Sequence, residues 1–146
     1  MMTPERARGA AAVEVAVLVP LVLMLVVGVV TVWRVWWTSA QLTSATAAAA
    51  WAGARAATTA QARTIASQVL AGDLAAAGIT CQNSPVMKTL TPSFEGALKA
   101  GQSGTISITT TCTVPLHQVG LPGLPGSVTV RAAATEAIDT YQEHGI

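Results

Sequence analysis

The feature that most limits the fold of this chain is an apolar run from Val15 to Trp33 that contains no charged residue. At 1.5 Å per residue, an α-helix of about this length crosses the hydrocarbon core of a bilayer. We therefore predict one membrane-spanning helix followed by one modest domain. Glu14 stands at the start of the run, where a charged and unpaired carboxylate would be costly to bury in lipid. This acid is expected to need a partner.

The composition excludes several functions. The chain has eight Lys or Arg against seven Asp or Glu, a net charge of +1, and no basic patch, which argues against nucleic acid as a partner. It contains no GxSxG motif, no phosphate-binding glycine loop and no HExxH motif. We predict that the protein is not an enzyme and uses no cofactor or metal. A hydrolase or transferase is left only as a residual alternative.

The residues that flank the run predict its orientation. Arg6 and Arg8 precede it, and three tryptophans, Trp33, Trp36 and Trp37, follow as an expected interfacial belt. The positive-inside tendency then places the N-terminus in the cytoplasm and the later residues outside, although Arg34 weakens the contrast. A secretory signal peptide cleaved near Thr38-Ser39-Ala40 is the alternative, but this run is longer than such a signal and is followed by bulky indoles.

The stretch from Thr38 to about Ala77 is rich in alanine and predicts that the membrane helix continues outside the bilayer. Ile65, Val69, Leu70 and Leu74 fall on one stripe at helical spacing, so this stripe should face a small partner layer. Gly78 is expected to end the helix as a left-handed cap. Two arginines, Arg55 and Arg63, are interpreted as part of a solvated face rather than a binding site.

The last third of the chain has the pattern of a small antiparallel sheet. Apolar and hydroxyl side chains alternate from Thr105 to Val114, which predicts a half-buried strand. A second strand is predicted from Ser127 to Thr135, and a weak third near Pro85 to Leu90. The repeated turn residues of Leu121–Gly126 separate the two clearer strands. The expected fold is therefore α+β: a long N-terminal membrane-spanning helix, an Ala-rich external helix and a small sheet.

Cys81 and Cys112 are the only cysteines, and both lie on the side predicted to be outside the cytoplasm. In an oxidising compartment such a pair more often forms a disulfide than a metal site. Two thiols cannot complete a tetrahedral zinc site without suitably spaced histidines, and His117 and His144 are not so spaced. We predict a disulfide that stabilises the small domain by roughly 3–4 kcal/mol.

These residues carry a resemblance to a known family. The segment from Arg8 to Pro20, with RG, small residues, VE and an apolar run with an early proline, resembles the opening of the TadE family, pseudopilins of tight-adherence (Flp-type) pilus systems. Val15 departs from the family, which more often has Phe there. The second half is similar to actinobacterial members in four places: Gly78–Cys81, Ile106–Val114, Leu121–Ser127 and Ala137–Tyr141.

The resemblance implies a pilin-like fold and a processing step. A prepilin peptidase would cut after Gly9 on the cytoplasmic face, so that Ala10 becomes the new N-terminus and Glu14 the fifth residue of the mature chain. Glu14 would then pair with the α-amine of a neighbouring subunit; the alternative is an acid that only reaches interfacial water. The expected organisation is a leader at 1–9, a membrane helix at 10–37, an external helix at 38–78 and a disulfide-linked β-rich domain at 79–146.

Two classes of function remain. The first is a structural or assembly component, a pseudopilin or minor pilin that spans the cytoplasmic membrane once. Its expected partners are other pilin subunits, the prepilin peptidase and the Tad secretion machinery. Such a subunit would also reach a pilus at the cell surface. The second is a membrane-anchored binding module outside the cytoplasm that never enters a fibre. Fold alone does not separate them.

Overall fold

The computed structural model describes the backbone of residues 4–90, 104–119 and 125–138, and the side chains of 13–88, 104–117 and 125–138. Two long helices come first, followed by strands and one short helix: α1 (Pro4–Ala54), α2 (Thr59–Ala76), β1 (Val86–Leu90), β2 (Gly104–Pro115), α3 (Leu116–Val119) and β3 (Ser127–Ile138). The predicted α+β class is confirmed. The predicted turn residues 121–124, the end of the segment Ala137–Tyr141 and His144 lie outside the described residues.

Helix α1 is the longest element and extends from the apolar run into the folded domain. It has 51 residues, about 75 Å at the usual rise per residue, and continues through Pro20. Its first part, up to Val30, is exposed on all sides wherever its side chains are described. From Leu42 onward, one side is buried: Leu42, Ala45, Thr46, Ala49, Ala50, Gly53 and Ala54 recur every three or four residues. The same helix therefore has two parts. The apolar half, residues 13–37, has no buried side chain, and the half from Leu42 onward belongs to the folded domain.

The predicted external helix is interrupted between Ala54 and Thr59, which the sequence analysis did not anticipate. Thr58 caps the new helix, because its hydroxyl accepts a hydrogen bond from the Gln61 N–H at 3.2 Å. The Gln61 side-chain oxygen accepts one from the Ala57 N–H at 3.3 Å. This reciprocal pair resembles a capping box, in which a Thr and a Gln three residues later satisfy backbone donors at a helix start. Local capping thus outweighs the high helix propensity of the surrounding alanines.

After this break, α2 packs along the second half of α1. Gly53 allows the close approach at the turn: a Cβ there would lie 3.1 Å from Cδ1 of Ile106 and 3.5 Å from Cβ of Ala66. The buried residues of α2 are Ala62, Ala66, Leu70 and Leu74, each one turn after the last. Of the predicted stripe, Leu70 and Leu74 are fully buried, whereas Ile65 and Val69 are half-buried.

Gly78 ends α2 as predicted. Its φ of +68° is a left-handed conformation that glycine adopts without a Cβ penalty. The Gly78 N–H donates to the Ala75 carbonyl at 3.0 Å, and the Ile79 N–H donates to the Leu74 carbonyl at 2.9 Å. These two bonds are those of a Schellman motif, which satisfies carbonyls at the end of a helix.

The three strands form one antiparallel sheet in the order β1-β2-β3. The long pair is aligned from Gly104 opposite Ile138 to Pro115 opposite Ser127. In β2 the alternation predicted from sequence is confirmed: the even-numbered residues from Gly104 to Val114 are buried, while the odd-numbered ones are exposed or half-buried. The outer face is rich in hydroxyls, two pairs of which are hydrogen-bonded across β2 and β3, Thr113 with Thr129 and Thr135 with Ser107.

The core lies between this sheet and the two helices. Its larger members are Leu42, Leu70, Ile106 and Ile108, and small alanines of α1 and α2 fill the space between them. Two buried threonines differ in their bonding. The Thr46 hydroxyl donates to the Leu42 carbonyl at 2.7 Å, whereas Thr110, on β2, has no partner for its hydroxyl within the described structure.

Candidate functional site: the apolar half of α1 and its junction with the domain

The apolar half of α1 is the most unusual surface of the chain. Its most apolar window of 18 residues has a mean hydropathy of 3.0, and none of that window is buried against the rest of the described chain. The helix of a soluble core would be covered on at least one side. A helix that is apolar on all sides and left uncovered is typical of a membrane span, so this segment indicates a single-pass membrane anchor.

Glu14 is exposed at the start of this surface, next to Val13, Val17 and Leu18. Gly9 and Ala10 lie in the first turns of α1, so the predicted cleavage bond is in a helical stretch of backbone. Glycine weakens a helix by roughly 0.5–1 kcal/mol relative to alanine, so Gly9 is a weak point of the helix at this bond. The cleavage of this bond and the pairing of Glu14 with another subunit stay predictions.

The predicted aromatic belt occupies the end of the apolar half. Trp33, Trp36 and Trp37 are each more than half exposed. The rings of Trp33 and Trp37 are neighbours, with centroids 6.2 Å apart and planes tilted by 36°. Exposed indoles at the end of an apolar helix are suited to the region between acyl chains and headgroups.

Gly28 leaves a notch on the same half of the helix. No described atom would lie within 4 Å of a Cβ at this position. With Leu25, Val29, Val32 and two of the tryptophans, it lines an open apolar groove of about 630 Å³. Small residues in membrane helices let a second helix approach closely, so the groove is suited to helix packing but does not identify an occupant.

The folded domain joins α1 directly after the tryptophans. Ile106, near the start of β2, lies beside Gly53 near the far end of α1. Val114, near the end of β2, lies beside Thr38. Strand β2 therefore runs back along α1 towards the apolar half. The end of β2 and the cap after α2 both lie close to Trp37. The folded domain therefore follows the anchor directly, without a linker between them.

The predicted disulfide is present. Cys81 and Cys112 are bonded, with Cα atoms 5.4 Å apart. Cys112 is buried on the core face of β2, and Cys81 is half-buried in the segment between α2 and β1. The Gln82 N–H also donates to the Thr113 carbonyl at 2.7 Å. Together these bonds fasten the chain after α2 to the central strand.

One further prediction concerns the charged side chains of the domain. Arg55 and Arg63 are exposed, as expected for a solvated face, and the Arg55 guanidinium lies 3.6 Å from the centroid of the Trp51 ring. His117 is exposed in α3. Among the residues described, no group of three or more His, Cys, Asp or Glu side chains is arranged to hold a metal ion.

The geometry thus defines a membrane-anchored α+β protein whose anchor and domain share one helix. Residues 9–51 match a family model described as TadE-like protein. The matched range contains the whole apolar half of α1 and most of its packed half. The later motifs of the sequence resemblance lie outside it and stay predictions. No curated protein and no solved structure matches the chain.

Proposed function

We propose that this protein is a structural or assembly component of a Tad (Flp-type) pilus, a pseudopilin or minor pilin of the actinobacterial type. The observation that carries the proposal is the TadE-like match over residues 9–51, which falls on a helix that is uncovered and apolar at one end and packed at the other. In this proposal the uncovered half serves as a membrane anchor before assembly and as a packing surface for other subunits afterwards. A pilus-associated structural component needs no catalytic site.

In this proposal the chain sits in the cytoplasmic membrane with its N-terminus inside and its disulfide-linked domain outside. A prepilin peptidase cuts after Gly9 and exposes the α-amine of Ala10. That amine pairs with Glu14 of a neighbouring subunit. Two opposite charges about 4 Å apart attract by about 4 kcal/mol at an effective dielectric near 20, which would offset the cost of placing an acid at the edge of the bilayer.

N-terminal sequencing of the protein from the membrane fraction tests the processing step. A chain that begins at Ala10 supports the pilus component. A chain that retains Met1 favours the alternative, a membrane-anchored binding module that stays outside any fibre. Gly9→Leu is the matched variant, because a peptidase that reads a small residue should leave this precursor uncut. Cleavage of the Gly9→Leu chain at Ala10 would contradict the proposed recognition.

The role of Glu14 is tested separately from processing. Glu14→Gln retains the size of the side chain but loses its charge, so membrane insertion and cleavage should persist while association with other pilin subunits falls. Glu14→Val should insert at least as well and associate as poorly. Insertion, the N-terminal residue and co-purification of pilin subunits are measured in parallel. Unchanged co-purification in Glu14→Gln would mean that this acid only contacts interfacial water.

A further inference from the structure

A small cavity lies where the domain meets the anchor. It has a volume of about 150 Å³ and is lined by Arg34, Trp37 and Thr38 of α1, by the cap that follows α2 at Ala77–Ile79 and by Val114 of β2. At roughly 30 Å³ per water, it has room for about five water molecules or for one small polar group. Three separate elements build this cavity, so it depends on the folding of the domain against α1.

The position of the cavity along α1 decides which molecules reach it. Arg34 is the first charged residue after the apolar run, and Trp33, Trp36 and Trp37 surround it in sequence. When the apolar run spans the hydrocarbon core, Arg34 lies at the level of the lipid headgroups. The cavity then opens at the membrane surface on the side of the folded domain, whichever side of the membrane that is.

The charge of the cavity fits an anion. Arg34 is exposed, and its guanidinium offers planar paired donors that match the oxygens of a phosphate. Asp73 of α2 does not line this cavity; it lines an adjoining groove with Gln41 and Ser44, and the two spaces share Trp37 and Ala77. The end of α2 carries partial negative charge, but its Leu74 and Ala75 carbonyls already accept hydrogen bonds from the cap.

We propose that this cavity binds the phosphate of a membrane phospholipid, with Arg34 as the cationic ligand, and that the base of the domain thereby rests on the bilayer surface. The proposal relies on the membrane-anchor part of the proposed function and not on the pilus. An anionic lipid such as phosphatidylglycerol should be preferred over a zwitterionic one, because a single arginine near a charged bilayer surface favours anionic lipid by roughly fivefold.

The test uses the full chain in nanodiscs that contain phosphatidylglycerol and phosphatidylcholine in equal amounts. Native mass spectrometry counts the lipids that stay bound when the protein is released. Arg34→Gln should lower the retained phosphatidylglycerol about fivefold, whereas Arg63→Gln, the same change of charge at an exposed site on α2, should leave it unchanged. Equal retention in these two variants would overturn the proposal.

A second pair of variants tests the cavity without changing any charge. Thr38→Phe places a ring in the cavity and should also release phosphatidylglycerol. Thr43→Phe is the matched control, since Thr43 is exposed on the same helix and, like Thr38, donates to the carbonyl four residues before it. Full retention in Thr38→Phe would show that Arg34 attracts lipid without a built site and would overturn the assignment.

Two further outcomes identify the source of a failure. If excess inorganic phosphate displaces the retained lipid, the cavity is a site for free phosphate and the lipid assignment is wrong. If the parent chain does not enter nanodiscs at all, the membrane anchor itself fails, and the lipid site fails with it. Incorporation into nanodiscs is measured separately, so a missing anchor is distinguishable from a missing lipid site.

Discussion

Loss of the Cys81–Cys112 disulfide should destabilise the folded domain by about 3.7 kcal/mol. The two cysteines are 31 residues apart, and the loop-entropy relation gives this value for a loop of that length at 25 °C. The domain has a core made largely of alanines, so a contribution of this size is a substantial part of the usual stability of a small domain. Cys81→Ala is the cleanest change, because Cys81 is half-buried and the substitution adds no polar atom.

The structure separates the two cysteines by their surroundings. Cys112→Ser would place a hydroxyl in the core and cost about 1–3 kcal/mol more than loss of the bond alone, whereas Cys112→Ala avoids this term. The free energy of unfolding is measured by urea titration of the full chain in detergent micelles. The double Cys81→Ala, Cys112→Ala chain should be about as stable as Cys81→Ala, since both lack the same bond. Additive losses, or free thiols in the native parent, would refute this reasoning.

Two more substitutions test the packing around the helix break. Gly53→Val should destabilise the domain by about 1–3 kcal/mol, because its added atoms meet Ile106 and Ala66, while Gly72→Val on the open side of α2 should be neutral or slightly stabilising. Thr110→Val should raise the free energy of unfolding by about 1–3 kcal/mol, because it removes a buried hydroxyl without a partner and keeps the shape. Thr46→Val is the control for Thr110→Val, because the Thr46 hydroxyl is hydrogen-bonded. Urea titration compares the free energy of unfolding within each pair of variants. A Thr110→Val chain that is less stable than the parent contradicts the second expectation.

Much of the fold was predictable because each pattern had a single local meaning. The alternation from Thr105 to Val114 could only be satisfied by a strand with one buried face, and the structure has that strand in the centre of the sheet. The apolar run could only be a span or a signal, and it forms one half of α1. Gly78 had the position and residue type of a left-handed cap, and it adopts that conformation.

The helix break was missed because two signals competed. The alanines from Ala45 to Ala57 favour helix strongly enough to outweigh the capping signal of Thr58 and Gln61 in the sequence pattern. The same alanines concealed the core, because a nearly unbroken run of alanine has no periodic apolar stripe that would distinguish the buried helix face from the exposed one. Ala49, Ala50, Ala62 and Ala66 are fully buried only because Gly53 lets α2 pack closely against α1. That arrangement is a property of the folded hairpin and not of any one segment.

The parts of the site that are consecutive in the chain were predictable, and the parts that combine distant segments were not. The apolar half of α1 and Glu14 are consecutive in the chain, so sequence placed them together. The cavity beside Arg34 combines residues from α1, the cap after α2 and β2, which are up to 80 positions apart, and no local pattern brings them together. A partner for Glu14 is expected on another subunit, so neither the sequence nor the fold of one chain contains it.

The shared helix has a mechanical consequence. Residues 42–54 of α1 are part of the domain core, so the apolar half cannot rotate or slide independently of the domain without breaking that core. Interfaces of packed side chains move between discrete arrangements and do not deform continuously. A force that acts on the anchor is therefore transmitted directly to the core of the domain.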